Sequence, residues 1–162
     1  HWGEMGTRWG TNRTVAQIHA LLYLSPEPLH ADEIVDLLSV ARSNVSTSIR
    51  ELQSYGLVRM THILGDRRDY FESIYEVWEL FRVIIEQRKQ RELNPTLAML
   101  KSCADEVKSE KETDPVTKDR IYNMLEFVES TNNWYEQISE IPTSTLTKLM
   151  ALGTKITKLV KK

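Results

Sequence analysis

Apolar residues recur at helical spacing through the first third of the chain. Val15, Ile18, Leu21 and Leu22 predict a helix over residues 14–24. The run Ser25-Pro26-Glu27-Pro28 ends it, because proline has no N–H for the ladder and disfavours helix in the residue before it. Ile34, Leu37 and Leu38 mark a second, short helix over 31–38. Ser39-Val40-Ala41 separates it from a third over 42–55, which Gly56 stops. The period then changes. Residues 57–63 are rich in strand formers, Gly65-Asp66 supplies a turn, and residues 68–71 return as a second strand. Helix, helix, three-residue turn, helix and hairpin, in that order, make a winged helix-turn-helix from about Thr14 to Glu72.

The pattern beyond is almost wholly helical. Ile74, Val77, Trp78, Phe81, Ile84 and Ile85 form an apolar stripe on a helix of about twenty residues. Asn94-Pro95 and Asp114-Pro115 both have the form of a cap followed by proline, which predicts a helix start at each. Apolar positions between 117 and 138 cover more than one face, and Ile141-Pro142 separates a last helix carrying Leu146, Leu149 and Met150 and ending in a lysine-rich tail. Residues 109–114 read as a polar loop. The expected fold is therefore mainly α with a small β-hairpin: a winged helix-turn-helix domain over 1–72 that includes a partial N-terminal helix, then a helical dimerisation and possible effector region over 73–162. Such surplus apolar helix surface predicts a dimer interface.

Charge sharpens this picture. The 162-residue chain has a net charge of −2. Residues 42–68, however, hold five arginines against Glu51 and Asp66, whereas residues 73–162 hold fourteen basic and fourteen acidic residues. The positive excess is local, and it falls where a nucleic-acid surface is expected. No apolar run approaches the roughly 18 residues of a membrane span. The single Cys103 excludes an internal disulfide and any zinc-ribbon spacing, which fits a cytoplasmic protein. The chain opens at His1, inside a Trp- and Gly-rich segment, and the expectation is that further residues precede it.

A helical wheel divides the third helix into two faces. Val45, Ile49 and Leu52 lie within about 60° of one another and anchor it. Ser43, Thr47, Arg50 and Ser54 lie opposite, flanked by Asn44 and Ser46, with Arg42 at the start. That outer face is small, polar and rich in donors, as a DNA major groove about 12 Å wide requires. Arg50 suits a guanine edge; Asn44 suits an adenine edge or a phosphate. On the hairpin, Asp66-Arg67-Arg68 places arginines where they reach the minor groove, with the carboxylate of Asp66 fixing the direction of one guanidinium.

With these residues in place, the first half resembles the GbsR-type branch of the MarR superfamily of prokaryotic transcriptional regulators. The resemblance is carried by residues 24–34 (LSPEPLHADEI), 42–46 (RSNVS), 50–52 (REL), 56–59 (GLVR) and 65–71 (GDRRDYF), with 6–10 (GTRWG) upstream. It is close over residues 2–72 and looser beyond. It implies a homodimer on palindromic double-stranded DNA, usually a repressor, sometimes responsive to a small ligand. Two positions depart from the pattern. His30 stands where Thr or Ser would cap the second helix, and Ala41 where Ser would cap the third; each lost cap would cost about 1 kcal/mol.

Enzymatic signatures are missing. Gly3, Gly6 and Gly10 lie in a helical segment rather than after a strand, so they do not form a phosphate cradle. His1, His19, His30 and His62 have no ligand spacing, and no metal or cofactor is expected. Among the aromatics of the second half, Tyr75, Trp78, Trp134 and Tyr135 could bind a quaternary ammonium by cation–π attraction. Some members of the resembling branch are thought to sense choline-like osmolytes, although packing is the ordinary role of such side chains. The competing function class is a winged-helix protein–protein module without sequence-specific DNA binding.

Overall fold

Three helices converge on one apolar centre: α2 (Arg13–Leu24), α3 (Ala31–Leu38) and α4 (Arg42–Ser54). Ile18 and Leu22 of α2, Ile34 of α3 and Val45 of α4 are each 0% exposed. Burying one such side chain contributes about 2 kcal/mol. The computed structural model describes residues 1–110 and 112–160, with side chains described through residue 152. Its contacts divide into two units, His1–Gln87 and Arg88–Lys162. The first therefore runs past Glu72.

In the first unit, α1 (Trp2–Arg8) packs on α2, and the approach is close because Gly3 and Gly6 are buried at the contact. The helices expected over 14–24, 31–38 and 42–55 match α2, α3 and α4 to within a residue at each end. Asn12 caps α2 by accepting from the N–H of Thr14 at 2.8 Å. Gly56, at φ +73°, ends α4 as its sequence position predicts.

The hairpin pairs β2 (Val58–Thr61) with β3 (Tyr70–Ser73), antiparallel, Val58 opposite Ser73 and Thr61 opposite Tyr70. A third strand, β1 (Leu29–His30), pairs with the other edge of β3, so the sheet order is β1-β3-β2. The returning strand thus begins at Tyr70 rather than at residue 68. Ile63 to Asp66 forms a turn closed by the N–H of Asp66 on the carbonyl of Ile63 (3.0 Å), with Gly65 at φ +89°. Arg67 and Arg68 follow the turn, so the exposed tip is Leu64 and Gly65. Leu57, Val58 and Phe71 close the core from the sheet, and α5 (Val77–Arg88) closes it with Leu80, Val83 and Ile84. Val77 and Phe81, expected on the inward stripe, are instead exposed.

His30 departs from its expectation. Its ring is placed to cap α3, with Nδ1 3.4 Å from the N–H of Glu33, while Glu33 Oε2 accepts from the N–H of His30 at 2.8 Å. An imidazole can do this because its Nδ1 sits at the same point along the side chain as the oxygen of asparagine, a preferred cap. Ala41 supplies no side-chain cap to α4, as expected.

In the second unit, a π-helical segment (Lys89–Leu93) leads into α6 (Asn94–Ser109), which packs on α7 (Pro115–Ser139); α8 (Thr143–Val160) follows Pro142. Asp114 caps α7 by accepting from the N–H of Thr117 at 3.1 Å. Asn94 does not cap. Both Leu93 and Asn94 have helical dihedrals, so Asn94-Pro95 lies inside a continuous helical path rather than at a break. Proline is tolerated there because the wider π turn leaves room for its ring and calls for no N–H at that point. Of the C-terminal lysines, Lys155, Lys158, Lys161 and Lys162 lie outside the described side chains. Among the described residues no helix is long and apolar enough to cross a membrane.

Candidate nucleic-acid interface

The outer face of α4 is what the wheel predicts. Arg42, Ser43, Asn44, Ser46, Thr47, Arg50 and Ser54 are all exposed, while Val45, Ser48, Ile49 and Leu52 are buried. Arg50 Nε donates to the carbonyl of Ser46 at 3.3 Å, which lays the guanidinium along the helix. Glu51, the acid of this helix, is turned aside to accept from the hydroxyl of Tyr55 at 2.9 Å. Ser54 Oγ donates to the carbonyl of Glu51 at 2.7 Å, so its hydroxyl is partly engaged at home.

A groove of about 440 Å³ separates this face from the hairpin. Arg42, Ser46, Arg50 and Gln53 line it from α4, Met60 and Phe71 from the sheet, and Arg67, Arg68 and Asp69 from the hairpin. His30 and Asp32 close its end. The structure thus brings Arg42, Ser46, Arg50, Arg67 and Arg68 to one concavity, while Ser43, Asn44, Thr47, Ser54 and Asp66 lie outside its lining. It adds His30, Asp32, Gln53, Met60 and Asp69, which no local pattern marks. Asp32 is ion-paired with Arg42, so one of the residues expected to face DNA has an intramolecular competitor.

The two hairpin arginines differ. Asp66 accepts from the backbone N–H of Arg68 (2.9 Å), from its Nε (2.9 Å), from its Nη2 and from the hydroxyl of Tyr70 (2.8 Å). These donors hold the Asp66 carboxyl well below the usual carboxylate range, the Arg68 side chain contributing most. The same bond to Asp66 raises Tyr70, whose hydroxyl keeps its proton to donate it. Nη2 of Arg68 also reaches the Tyr70 hydroxyl at 3.0 Å, and Nη1 lies 2.7 Å from Nε2 of His30. Asp66 orients Arg68 as its spacing suggests. Arg67 is exposed and has no side-chain partner among the described residues.

The aromatic set is divided between the units. In the first, Tyr75 is exposed and Trp78 is half-buried, edge-on to Phe81 at 6.3 Å between centroids. In the second, Trp134 is exposed, and Tyr135 already carries a cation: the ammonium of Lys89 stands 5.3 Å from its ring centroid. Lys89 also donates to Glu136 at 2.9 Å, and that bond lowers the Glu136 carboxyl.

Residues 9–69 match the sequence profile of the MarR family. The chain is 20% identical over 154 residues to the HTH-type transcriptional repressor GbsR of Bacillus subtilis (strain 168), covering 91% of this chain and 85% of that protein. A crystal structure described as a transcriptional regulator superposes with a TM-score of 0.59 at 20% identity, covering 85% of this chain and 90% of that one. The profile match spans the whole helix-turn-helix and most of its wing, the elements that carry the groove. The similarity to the MarR family is thus concentrated in residues 9–69, where the groove is built.

Proposed function

We propose that the chain is a homodimeric repressor that binds palindromic double-stranded DNA in a sequence-specific way. The observation that carries this is the groove between α4 and the hairpin, lined by Arg42, Ser46 and Arg50 on one side and Arg67 and Arg68 on the other, with Ser43, Asn44 and Thr47 exposed beside it. In this reading Ser43, Asn44, Ser46, Thr47 and Arg50 contact base edges and Arg42 and Ser54 the flanking backbone. Arg67 and Arg68 approach the minor groove, with Asp66 holding the second. The dimer is supported by apolar side chains left outward in both units, Val77 and Phe81 in α5 and Phe127 and Trp134 in α7. A second copy would cover them and set the recognition helices about 34 Å apart, or a multiple of that.

A protein-interaction module is the second reading, and one feature favours it. Met60, Ile63 and Leu64 leave an apolar edge exposed along the hairpin. Selection of bound sequences from random duplex DNA separates the two. A palindrome, bound with an affinity that falls log-linearly with salt, is the expected result. No enrichment and no binding by the full chain at low salt would leave the interaction module.

The effector belongs to the same proposal in a narrower form. A choline-like cation seated on Tyr135 would have to displace the ammonium of Lys89. Titration of choline, followed by tryptophan fluorescence, should then respond more strongly in Lys89→Met than in wild type. No response in either at millimolar ligand removes the effector.

A further inference from the structure

His30 sits at a contested point. A neutral imidazole has one nitrogen that accepts and one that donates. Here both nitrogens face donors: Nε2 faces Nη1 of Arg68 at 2.7 Å, and Nδ1 faces the backbone N–H of Glu33 at 3.4 Å. Arginine never accepts, and a backbone N–H cannot, so a single lone pair serves only one of them at a time. The distances favour Arg68.

We propose that His30 is a positioning residue for the wing, and that the location of its ring proton decides whether Arg68 is tied to the start of α3 or released. With the proton on Nδ1, Nε2 accepts from Arg68. The hairpin is then joined to the helix-turn-helix across 38 residues of chain, and the cap of α3 is left to Glu33 alone. With the proton on Nε2, Nδ1 completes the cap, Nε2–H faces Glu33 Oε2 at 3.5 Å, and Arg68 keeps only Asp66 and Tyr70. In the imidazolium neither nitrogen accepts, so both the cap and the wing contact are lost, and two cations face each other.

The groups around His30 are consistent with such a device. Glu33 approaches from α3, Arg68 with its partner Asp66 from the hairpin, and Tyr70 from β3, edge-on at 5.5 Å between rings. Asp32, Arg42, Arg50, Arg67 and Asp69 line the rest of the groove. His30 itself is only 9% exposed, so solvent competes little for its nitrogens. The consequence for affinity rests on the DNA-binding reading. A hairpin already fixed against the helix-turn-helix loses less freedom on binding, which is worth about two- to tenfold per side chain immobilised beforehand.

The experiment has one arm that needs no DNA. Nitrogen NMR of the imidazoles in the full chain near about pH 8, with His30 assigned through His30→Asn, should report Nε2 unprotonated and the proton on Nδ1. A proton on Nε2 overturns the proposal, whatever the DNA result. The second arm uses His30→Asn, which keeps a preferred cap residue but ends short of Arg68. Its thermal midpoint should stay level or rise, while DNA affinity falls about two- to tenfold. In an Arg68→Ala background the same change should cost nothing further. An equal loss in both backgrounds, or none in either, refutes the role. Failure of wild type to bind duplex DNA at all refutes the DNA reading and leaves the tautomer measurement to decide the proposal.

Discussion

Asp32, in the first turn of α3, and Arg42, the first residue of α4, are ion-paired across the turn that joins the two helices. Both side chains are more than half exposed, at 66% and 54%, so the pair adds little to stability. Its effect on binding should be larger, because Arg42 must give up this carboxylate before it meets a phosphate. Asp32→Asn is therefore expected to raise affinity for duplex DNA at low salt and to steepen the log–log salt dependence by about 0.9, the increment for one more phosphate contact. Fluorescence anisotropy across a salt series measures both. An unchanged slope would mean that Arg42 does not reach the backbone.

The two hairpin arginines should separate in the same assay. Arg67 has no side-chain partner among the described residues, so Arg67→Ala should lower affinity by a similar factor on all sequences, reduce the salt slope by about 0.9, and leave stability within about 0.5 kcal/mol. Arg68→Ala removes the main partner of Asp66 and a contact to Tyr70 and His30. It should lower the thermal midpoint as well as the affinity. Its loss should also flatten the acid side of the stability profile. Asp66 sits below its ordinary value in the fold, so its contribution is present above about pH 3.8 and is lost as pH falls below that. If Arg67→Ala proved the destabilising variant instead, the hairpin would be held differently from what its hydrogen bonds indicate.

Ser39 offers a test of the turn itself. It ends α3 in the left-handed region, at φ +52° and ψ +44°, and it is the one non-glycine residue with positive φ among those described. A side chain there costs about 1 kcal/mol relative to glycine. Ser39→Gly should thus stabilise the chain by about 0.5–1 kcal/mol, partly offset by the greater freedom of glycine in the unfolded state. Chemical denaturation reads the change; a net loss would show that the serine is favoured where it stands.

These cases also show where the sequence was readable. The helices α2, α3 and α4 could be traced because each buries one stripe, so Val45, Ile49 and Leu52 reveal the inner face and, by opposition, the outer one. Strand β1 could not be. It has two residues and exists only through its pairing with Tyr70 and Phe71, forty residues away in the chain. Asn94-Pro95 and Asp114-Pro115 carry the same local signature, yet only the second begins a helix after a break; the widened π turn that accommodates the first has no sequence period of its own. The Asp32–Arg42 pair and the approach of His30 to Arg68 depend on the angle between helices and on the return of the hairpin. Neither is encoded by spacing.

His19 carries the last prediction. It is 5% exposed on α2, beside the ring of Trp2 at 6.4 Å between centroids, and its Nε2 is buried with no hydrogen-bond partner among the described residues. Burial pushes its pKa below the ordinary 6.5, since a charged imidazole would lose its water there. The unfolded chain therefore binds a proton that the folded chain refuses. Stability should be full above about pH 6.5 and decline as pH falls through the window below it, with a slope of at most about 1.4 kcal/mol per unit, levelling once the folded state also takes the proton. His19→Leu removes both the titration and the unpaired nitrogen. It should be as stable as wild type or about 1 kcal/mol more stable near pH 8, with the gap widening toward pH 5. The two proteins differ only at this position, so the difference between the two curves isolates His19. A constant difference across that range would place the proton elsewhere, and a variant much weaker at pH 8 would mean that Nε2 has a partner.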